Sequence, residues 1–176
     1  LTISMKSVGE VMAIGRTFKE ALQKALRSTE TGLAGLEDLK FSPSEDELKK
    51  NLTVPNASRI LYIKEAIKIG MGVEEIYKMS RIDPWFLDNI RQIVELEKRI
   101  KAELKLDNRA ESVALLRQAK EFGFSDLQLS RILNQTQTAI RKWRKGLGIN
   151  PDYKLVDTCA AEFKASTPYY YSTYDS

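Results

Sequence analysis

The sequence has 176 residues, enough for one ordinary domain or two small ones, and its 28 Lys and Arg against 24 Asp and Glu leave a net charge of only +4. With 43% hydrophobic residues the chain can bury a core, and the near balance of charge argues against a protein that binds polyanions over its whole surface. The absence of histidine excludes imidazole acid–base catalysis, Ser-His and Cys-His nucleophile pairs, and most zinc sites. The single cysteine, Cys159, excludes an internal disulfide framework, and no apolar run approaches the roughly 20 residues that a membrane span needs.

The first residues of the chain do not have a helical pattern. Residues 11–14 form a short apolar run of the kind found in a fully buried strand, although no partner strand follows nearby. Because the chain begins without Met and ends in an aromatic run, we expect it to be a piece of a longer protein. The missing strands would then belong to the part that precedes it.

Residues 17–146 carry helical periodicity interrupted by turn signals. Thr17 and Ser44 each precede a glutamate by three residues, which is the capping-box pattern, and Asp83 precedes a proline at a helix start. The sequence therefore predicts an all-α fold, an irregular bundle of about seven to eight helices. Residues 149–176 contain five of the seven tyrosines, and we expect them to form an extended tail that lies on another surface.

An internal repeat with an offset of about 53 residues runs through the helical part. Apolar positions match apolar ones, helix-ending glycines coincide, and Asp83 and Thr136 are both helix N-cap residue types. The sequence predicts two three-helix units, at 58–93 and 111–146, which should superpose. The alternative to a true repeat is a chance match, because any two series of amphipathic helices can be aligned in part. The aligned positions of the first unit are Ile60, Ile63, Ala66, Gly70, Met71, Ile76, Met79, Asp83, Leu87 and Ile90. In the same order, the corresponding positions of the second unit are Val113, Leu116, Ala119, Gly123, Phe124, Leu129, Ile132, Thr136, Ile140 and Trp143.

Residues 126–145 resemble a helix-turn-helix, with small Ser130 at the expected crossing and a turn at Asn134. The second helix carries four basic residues and no acid. Against a nucleic-acid reader, the turn has polar Gln135 where the motif places an apolar residue, and basic residues are expected at a helix C-terminus in any case. The corresponding positions of the first unit would not attract phosphate. We therefore favour a structural scaffold and keep nucleic-acid binding as the alternative. The basic residues are Arg141, Lys142, Arg144 and Lys145, and their counterparts are Asp88, Asn89, Arg91 and Gln92.

Other candidate residues have both a functional and a structural interpretation. Glu10 is either a buried functional carboxylate beside a sheet or a surface cap. For Trp85 and Phe86 we favour the core, with a subunit contact as the alternative, because packed aromatic side chains bury large areas. Cys159 has no histidine to activate it, so we expect an inert thiol. The alternating charges from Glu95 to Glu103 are typical of a solvated helix face, and no Gly-rich phosphate loop, metal cluster or carboxylate pair occurs in the sequence.

Two stretches at the ends resemble the large subunit of carbamoyl phosphate synthetase, and shorter ones in the middle follow in the same order. The first stretch is Met5-Lys6-Ser7-Val8-Gly9-Glu10-Val11-Met12-Ala13-Ile14-Gly15-Arg16-Thr17-Phe18. The second is Val156-Asp157-Thr158-Cys159-Ala160-Ala161-Glu162-Phe163, followed by Thr167-Pro168-Tyr169-Tyr170-Tyr171-Ser172-Thr173-Tyr174. Asp83-Pro84-Trp85-Phe86-Leu87 and Gly123-Phe124-Ser125-Asp126 lie between them.

The resemblance implies that the chain is the oligomerisation domain joining two ATP-grasp halves. Residues 1–16 would be the tail of the first half, 17–148 the helical connecting domain and 149–176 the linker toward the second half. No catalytic, cofactor or metal residue can be carried over, because the family's ATP, Mg²⁺ or Mn²⁺ ligands, with K⁺ as a further cofactor, lie in those halves. Glu10 would pack between domains or line a passage between them. The residues that would contact a domain or subunit are Trp85, Phe86, Tyr169, Tyr170, Tyr171 and Tyr174.

For the whole enzyme, the resemblance implies a cytoplasmic or, in a eukaryote, organellar ligase. It makes carbamoyl phosphate from bicarbonate, glutamine-derived ammonia and two ATP, for arginine and pyrimidine biosynthesis. Its partners would be a glutamine amidotransferase small subunit and further copies of itself, with neither nucleic acid nor membrane. A ligase activity of the fragment alone is disfavoured, because it has no phosphate-binding motif.

Overall fold

The fold, given by a computed structural model, is described for residues 10–160, 162–164 and 169–175. Eight helices and one two-stranded sheet account for the regular structure of these residues. This confirms the predicted helical bundle and its helix count. The helices are α1 (Phe18–Ser28), α2 (Glu45–Thr53), α3 (Arg59–Lys68), α4 (Val73–Ser80), α5 (Pro84–Glu103), α6 (Ala110–Glu121), α7 (Asp126–Ile132) and α8 (Gln137–Gly146), and the strands are β1 (Asp152–Leu155) and β2 (Tyr170–Thr173).

Side-chain caps fix the start of five helices. The Thr17 hydroxyl accepts from the Glu20 N–H at 3.2 Å, and the Asp83 carboxylate accepts from the Trp85 N–H at 2.8 Å. Ser44, Ser125 and Thr136 cap α2, α7 and α8 in the same way. Each cap satisfies an amide that has no partner within its own helix, so these residues determine where the helices begin.

The helix boundaries follow the predicted repeat, with α3–α5 in register with α6–α8. Even the backbone irregularities recur at the same offset. Gly70 and Gly123 have φ of 94° and 88°, and Arg81 and Asn134 have φ of 56° and 51°. The first unit (α3–α5) and the second unit (α6–α8) therefore turn their chains at matching positions, and α5 is longer than its counterpart.

The long helix α5 lies at the centre of the core. It contacts α1, α3, α4 and α6, and its fully buried side chains include Leu87, Ile93 and Ile100. Two side chains of α5 differ from the predictions: Phe86 is 42% exposed although a core position was favoured, and Glu97 is buried although the alternating charges predicted a solvated face. The physical reason for the second error is a buried lysine from α3, described below.

The N-terminal apolar run at 11–14 is not a strand in this chain, and its pairing with strands of the preceding part stays a prediction. Val11 is 44% exposed and Met12 is 87% exposed. A strand needs a neighbour to complete its ladder of hydrogen bonds, and the described residues provide none beside this segment.

The C-terminal tail is not simply extended. β1 and β2 pair antiparallel, with Asp152 opposite Thr173 and Leu155 opposite Tyr170. The hairpin packs on the chain's own helices rather than only on another surface, because Thr173 is 1% exposed and donates from Oγ1 to Glu20 Oε2 at 3.1 Å. The strand pairing was missed because the two four-residue runs are separated by a long connection without a turn motif.

Candidate interdomain surfaces and buried ion pairs

A buried lysine links the connector after α1 to two helices. Lys64 of α3 is 1% exposed, and its Nζ lies 2.8 Å from Asp38 Oδ1 and 2.6 Å from Glu97 Oε2, and it also donates to the Leu36 carbonyl. Lys101 pairs with the other oxygen of Glu97. Burial alone would raise the pKa of Asp38, but hydrogen bonds and attraction from Lys64, helped by Lys68, lower it to about 2.

A second buried cluster joins α6, α7 and α8 to the tail. Lys120 Nζ lies 2.8 Å from Asp126 Oδ1 and donates to the Phe124 carbonyl, while Arg144 pairs with Asp126 and donates to the Ile149 carbonyl. The ring of Tyr174 covers both cations, with its centroid 4.9 Å from Lys120 Nζ and 5.4 Å from Arg144 Cζ. The tail is therefore held by cation–π contacts as well as hydrogen bonds.

We expect the free energy of unfolding to rise by about 1 kcal/mol between pH 8 and pH 9 because of Lys120. Burial lowers the pKa of Lys120 to about 8, and Arg144 and Arg27 add repulsion, although Asp126 partly offsets it. Since this pKa lies below the unfolded value, the unfolded chain binds more protons in this window and stability increases as pH rises through it.

Urea titrations at several pH values would check this dependence on Lys120, with Lys120→Met as the comparison. The rise between pH 8 and pH 9 should be absent in the variant. An equal rise in both proteins would contradict the assignment to Lys120.

Trp85 and Phe86 are not core residues, which corrects the favoured interpretation. They are 56% and 42% exposed and form an aromatic triad with Phe18, with centroid distances of 5.0–5.4 Å. Both residues lie in the first turn of α5, where the Asp83 cap is at the surface, and their rings pack against each other and against Phe18 at the start of α1. The alternative, a domain or subunit contact, stays a prediction.

The tyrosines of the tail divide into two groups. Tyr169 and Tyr170 are 63% and 66% exposed, whereas Tyr171 and Tyr174 are half-buried against cations of the helical body. Tyr171 lies 5.9 Å from Lys24 Nζ. The first group is thus available for the predicted contact with another domain, while the second already holds the tail on this one.

Glu10 is exposed and lies at the edge of a surface groove of about 690 Å³. The groove runs between the end of α1 and the start of α3 and is lined by apolar side chains that include Leu26, Leu33 and Leu61. Glu10 is therefore not buried by the described residues, and its burial beside a sheet of the preceding part stays a prediction. Its place in an interdomain contact or passage stays a prediction.

The helix-turn-helix geometry is present, but its basic patch is smaller than predicted. Asn134 has φ of 51° in the turn, and Ile140 is fully buried. Arg144, however, is only 5% exposed and is committed to Asp126, so phosphate cannot reach it. Only three cations of the patch remain at the surface: Arg141, Lys142 and Lys145.

DNA binding by the chain is expected to be weak and independent of sequence. Three surface cations can neutralise at most three phosphates, so the log–log salt slope should be no steeper than about −3. Titrating labelled duplexes of several sequences at two salt concentrations would measure this slope. Submicromolar binding at physiological salt with a preference for one sequence would overturn the scaffold interpretation.

Within the described residues, no group of three or more Cys, Asp or Glu side chains could hold a metal ion. No helix in this part of the chain has both the length and the apolar composition needed to cross a bilayer. Cys159 is half-buried, and its sulfur lies near the Thr158 hydroxyl at 3.8 Å.

Sequence comparison identifies the family. Residues 10–148 match the family model described as carbamoyl-phosphate synthetase large chain, oligomerisation domain. The chain is 51% identical to the carbamoyl phosphate synthase large chain of Archaeoglobus fulgidus, over 97% of this chain and 16% of that one. It is 50% identical to the large chain of Rhodopirellula baltica, over 100% of this chain and 17% of that one.

A relative from Aquifex aeolicus is described as the N-terminal section of the large chain; it is 50% identical over 99% of this chain and 30% of its own length. This chain thus spans about a sixth of the full large chains that it matches, and 99% of it aligns with the N-terminal section from Aquifex aeolicus. The match covers every helix described above. The chain belongs to the family of carbamoyl-phosphate synthetase large-chain oligomerisation domains.

Proposed function

We propose that this chain is the non-catalytic connecting and oligomerisation domain of a carbamoyl phosphate synthetase. The observation that carries the proposal is the match of residues 10–148 to that domain, together with about 50% identity to large chains six times as long. The geometry supports it, since the described residues form a closed helical body whose buried charges are paired with each other. Such a body can hold flanking domains at a fixed separation.

The proposed activity of the whole protein is ATP-dependent synthesis of carbamoyl phosphate from bicarbonate and glutamine-derived ammonia, using two ATP, for arginine and pyrimidine biosynthesis. ATP and Mg²⁺ or Mn²⁺, with K⁺ as a further cofactor, would bind in the two ATP-grasp halves. The partners would be these halves, a glutamine amidotransferase small subunit and further copies of the large chain. The location would be the cytoplasm, or an organelle in a eukaryote, and no role is assigned to nucleic acid or membrane.

We expect MgATP to leave the melting temperature of the 176-residue chain unchanged and to raise that of the full-length large chain. A ligand that binds only the folded state at 100 times its Kd stabilises that state by about 2.7 kcal/mol. Differential scanning fluorimetry with MgATP, and with MgAMP as the control, would measure both proteins. A clear shift of the 176-residue chain would contradict the assignment of the nucleotide sites to the flanking halves.

A further inference from the structure

The two repeated units differ in what covers the turn between their first and second helices. In the second unit α1 covers this turn so closely that a Cβ added to Gly123 would lie 2.9 Å from Gln23 Cβ and from Glu20 Cα. Arg27 Nη1 also donates to the Gly123 carbonyl at 2.9 Å. A helix is therefore the natural occupant of this surface.

In the first unit the corresponding surface is open. A Cβ added to Gly70 would meet no described atom within 4 Å. Ile69 is 64% exposed, whereas its counterpart Phe122 is half-buried beneath Lys19 Nζ at 4.6 Å. The open surface is a groove of about 560 Å³, which we call the unit-one groove, with an apolar floor that includes Ile67, Met71, Val73 and Val94.

The wall of the unit-one groove is α5, whose charges alternate in a way that two antiparallel copies can match. Arg91, Glu95 and Lys98 follow each other along the groove. Arg91 pairs with Glu95 at 2.5 Å, whereas Lys98 forms no ion pair or hydrogen bond within the described part of the chain. When two α5 helices run antiparallel about a two-fold axis between Glu95 and Lys98, each Glu95 meets Lys98 of the second copy.

We propose that the unit-one groove is the face at which two copies of this chain associate, with the α5 helices antiparallel across a two-fold axis. The inference deepens the proposed function, since it rests on the oligomerisation that the family description states. A helix of the second copy takes the place that α1 occupies on the second unit. The contact is isologous, so it closes as a dimer and buries the apolar floors of both grooves.

The test is sedimentation velocity of the 176-residue chain and two charge reversals, Glu95→Lys and Lys98→Glu. Each reversal places like charges opposite each other, so each variant should dissociate, with its dimer Kd raised at least tenfold. An equimolar mixture of the two variants should associate again, because two basic side chains of one variant then face two acidic side chains of the other. The double variant E95K/K98E should dimerise with itself, since the exchange restores opposite charges across the axis. Lys142→Glu on α8 is the matched control and should sediment as the unmodified chain does.

A monomeric chain at about 100 μM would overturn the proposal, as would a dimer that neither reversal weakens or a mixture that does not reassociate. Dissociation of Lys142→Glu to the same extent would also overturn it, because the effect would then be one of net charge. Circular dichroism would verify that the variants keep their helices. Carbamoyl phosphate synthesis by the full-length protein separates the two proposals. If that protein is active but Lys98→Glu does not weaken its association, the dimer face is wrong and the connecting role stands.

Discussion

Replacing Lys64 with methionine is expected to lower the free energy of unfolding by about 3 kcal/mol, within the range measured when one partner of a buried ion pair is removed. Methionine fills similar space but leaves Glu97, which is 4% exposed, without the buried one of its two cations. Lys101 still contacts Glu97 at 2.6 Å, which keeps the loss at the low end of that range.

Lys101→Met is the matched control for this change. Its ammonium contacts the same carboxylate, but the side chain is 44% exposed, so removing it should cost under about 1 kcal/mol. Urea unfolding followed by circular dichroism would measure both variants. Equal losses would show that the depth of Lys64 in the structure does not determine the stability of the cluster.

Gly123→Ala should destabilise the chain by about 3 kcal/mol, whereas Gly70→Ala should cost about 1 kcal/mol. Both glycines have positive φ, near 90°, so both substitutions carry the same backbone penalty. Only at Gly123 would the new methyl group also meet the backbone and Cβ atoms of α1, 2.9–3.0 Å away. The pair of variants therefore isolates the energy of the close approach.

Urea midpoints of the two alanine variants measure this difference. A smaller loss at Gly123 than at Gly70 would mean that α1 shifts away at little energetic cost. The thermal midpoint of Gly123→Ala should fall with its urea midpoint, by roughly 3 °C per kcal/mol for a chain of this size.

Local signals in the sequence were sufficient for most of the fold. N-cap residues such as Thr17 and Ser125 determine helix starts through bonds to nearby amides, and those bonds depend on the next three residues alone. The 53-residue repeat was visible because both units bury the same face of the same helices. The resemblance to the synthetase family, which the comparison confirms, was carried mostly by the two ends of the chain.

The buried charges were not predictable in the same way. Lys64, Lys120 and Arg144 are each less than 6% exposed, yet a lysine or arginine on a helix is usually solvated. Their partners lie outside the helix that carries each cation, because Asp38 of the connector pairs with Lys64 and Asp126 of α7 pairs with Lys120 and Arg144. Sequence periodicity does not report such pairs. One local signal existed, since Lys64 lies within the apolar stripe formed by Ile60, Ile63 and Ile67.

Lys24 joins the two ends of the described fold. Its ammonium donates to the Ile14 carbonyl at 2.8 Å and to the Ser172 carbonyl at 2.5 Å, and Arg16 pairs with Asp175 beside it. Residues 14–16 and 172–175, the two ends of the described fold, therefore lie next to each other on the helical body. A pulling force between the flanking segments would load these few bonds first and break them in sequence, so we expect the ends to unzip at low force while the helical body keeps its shape.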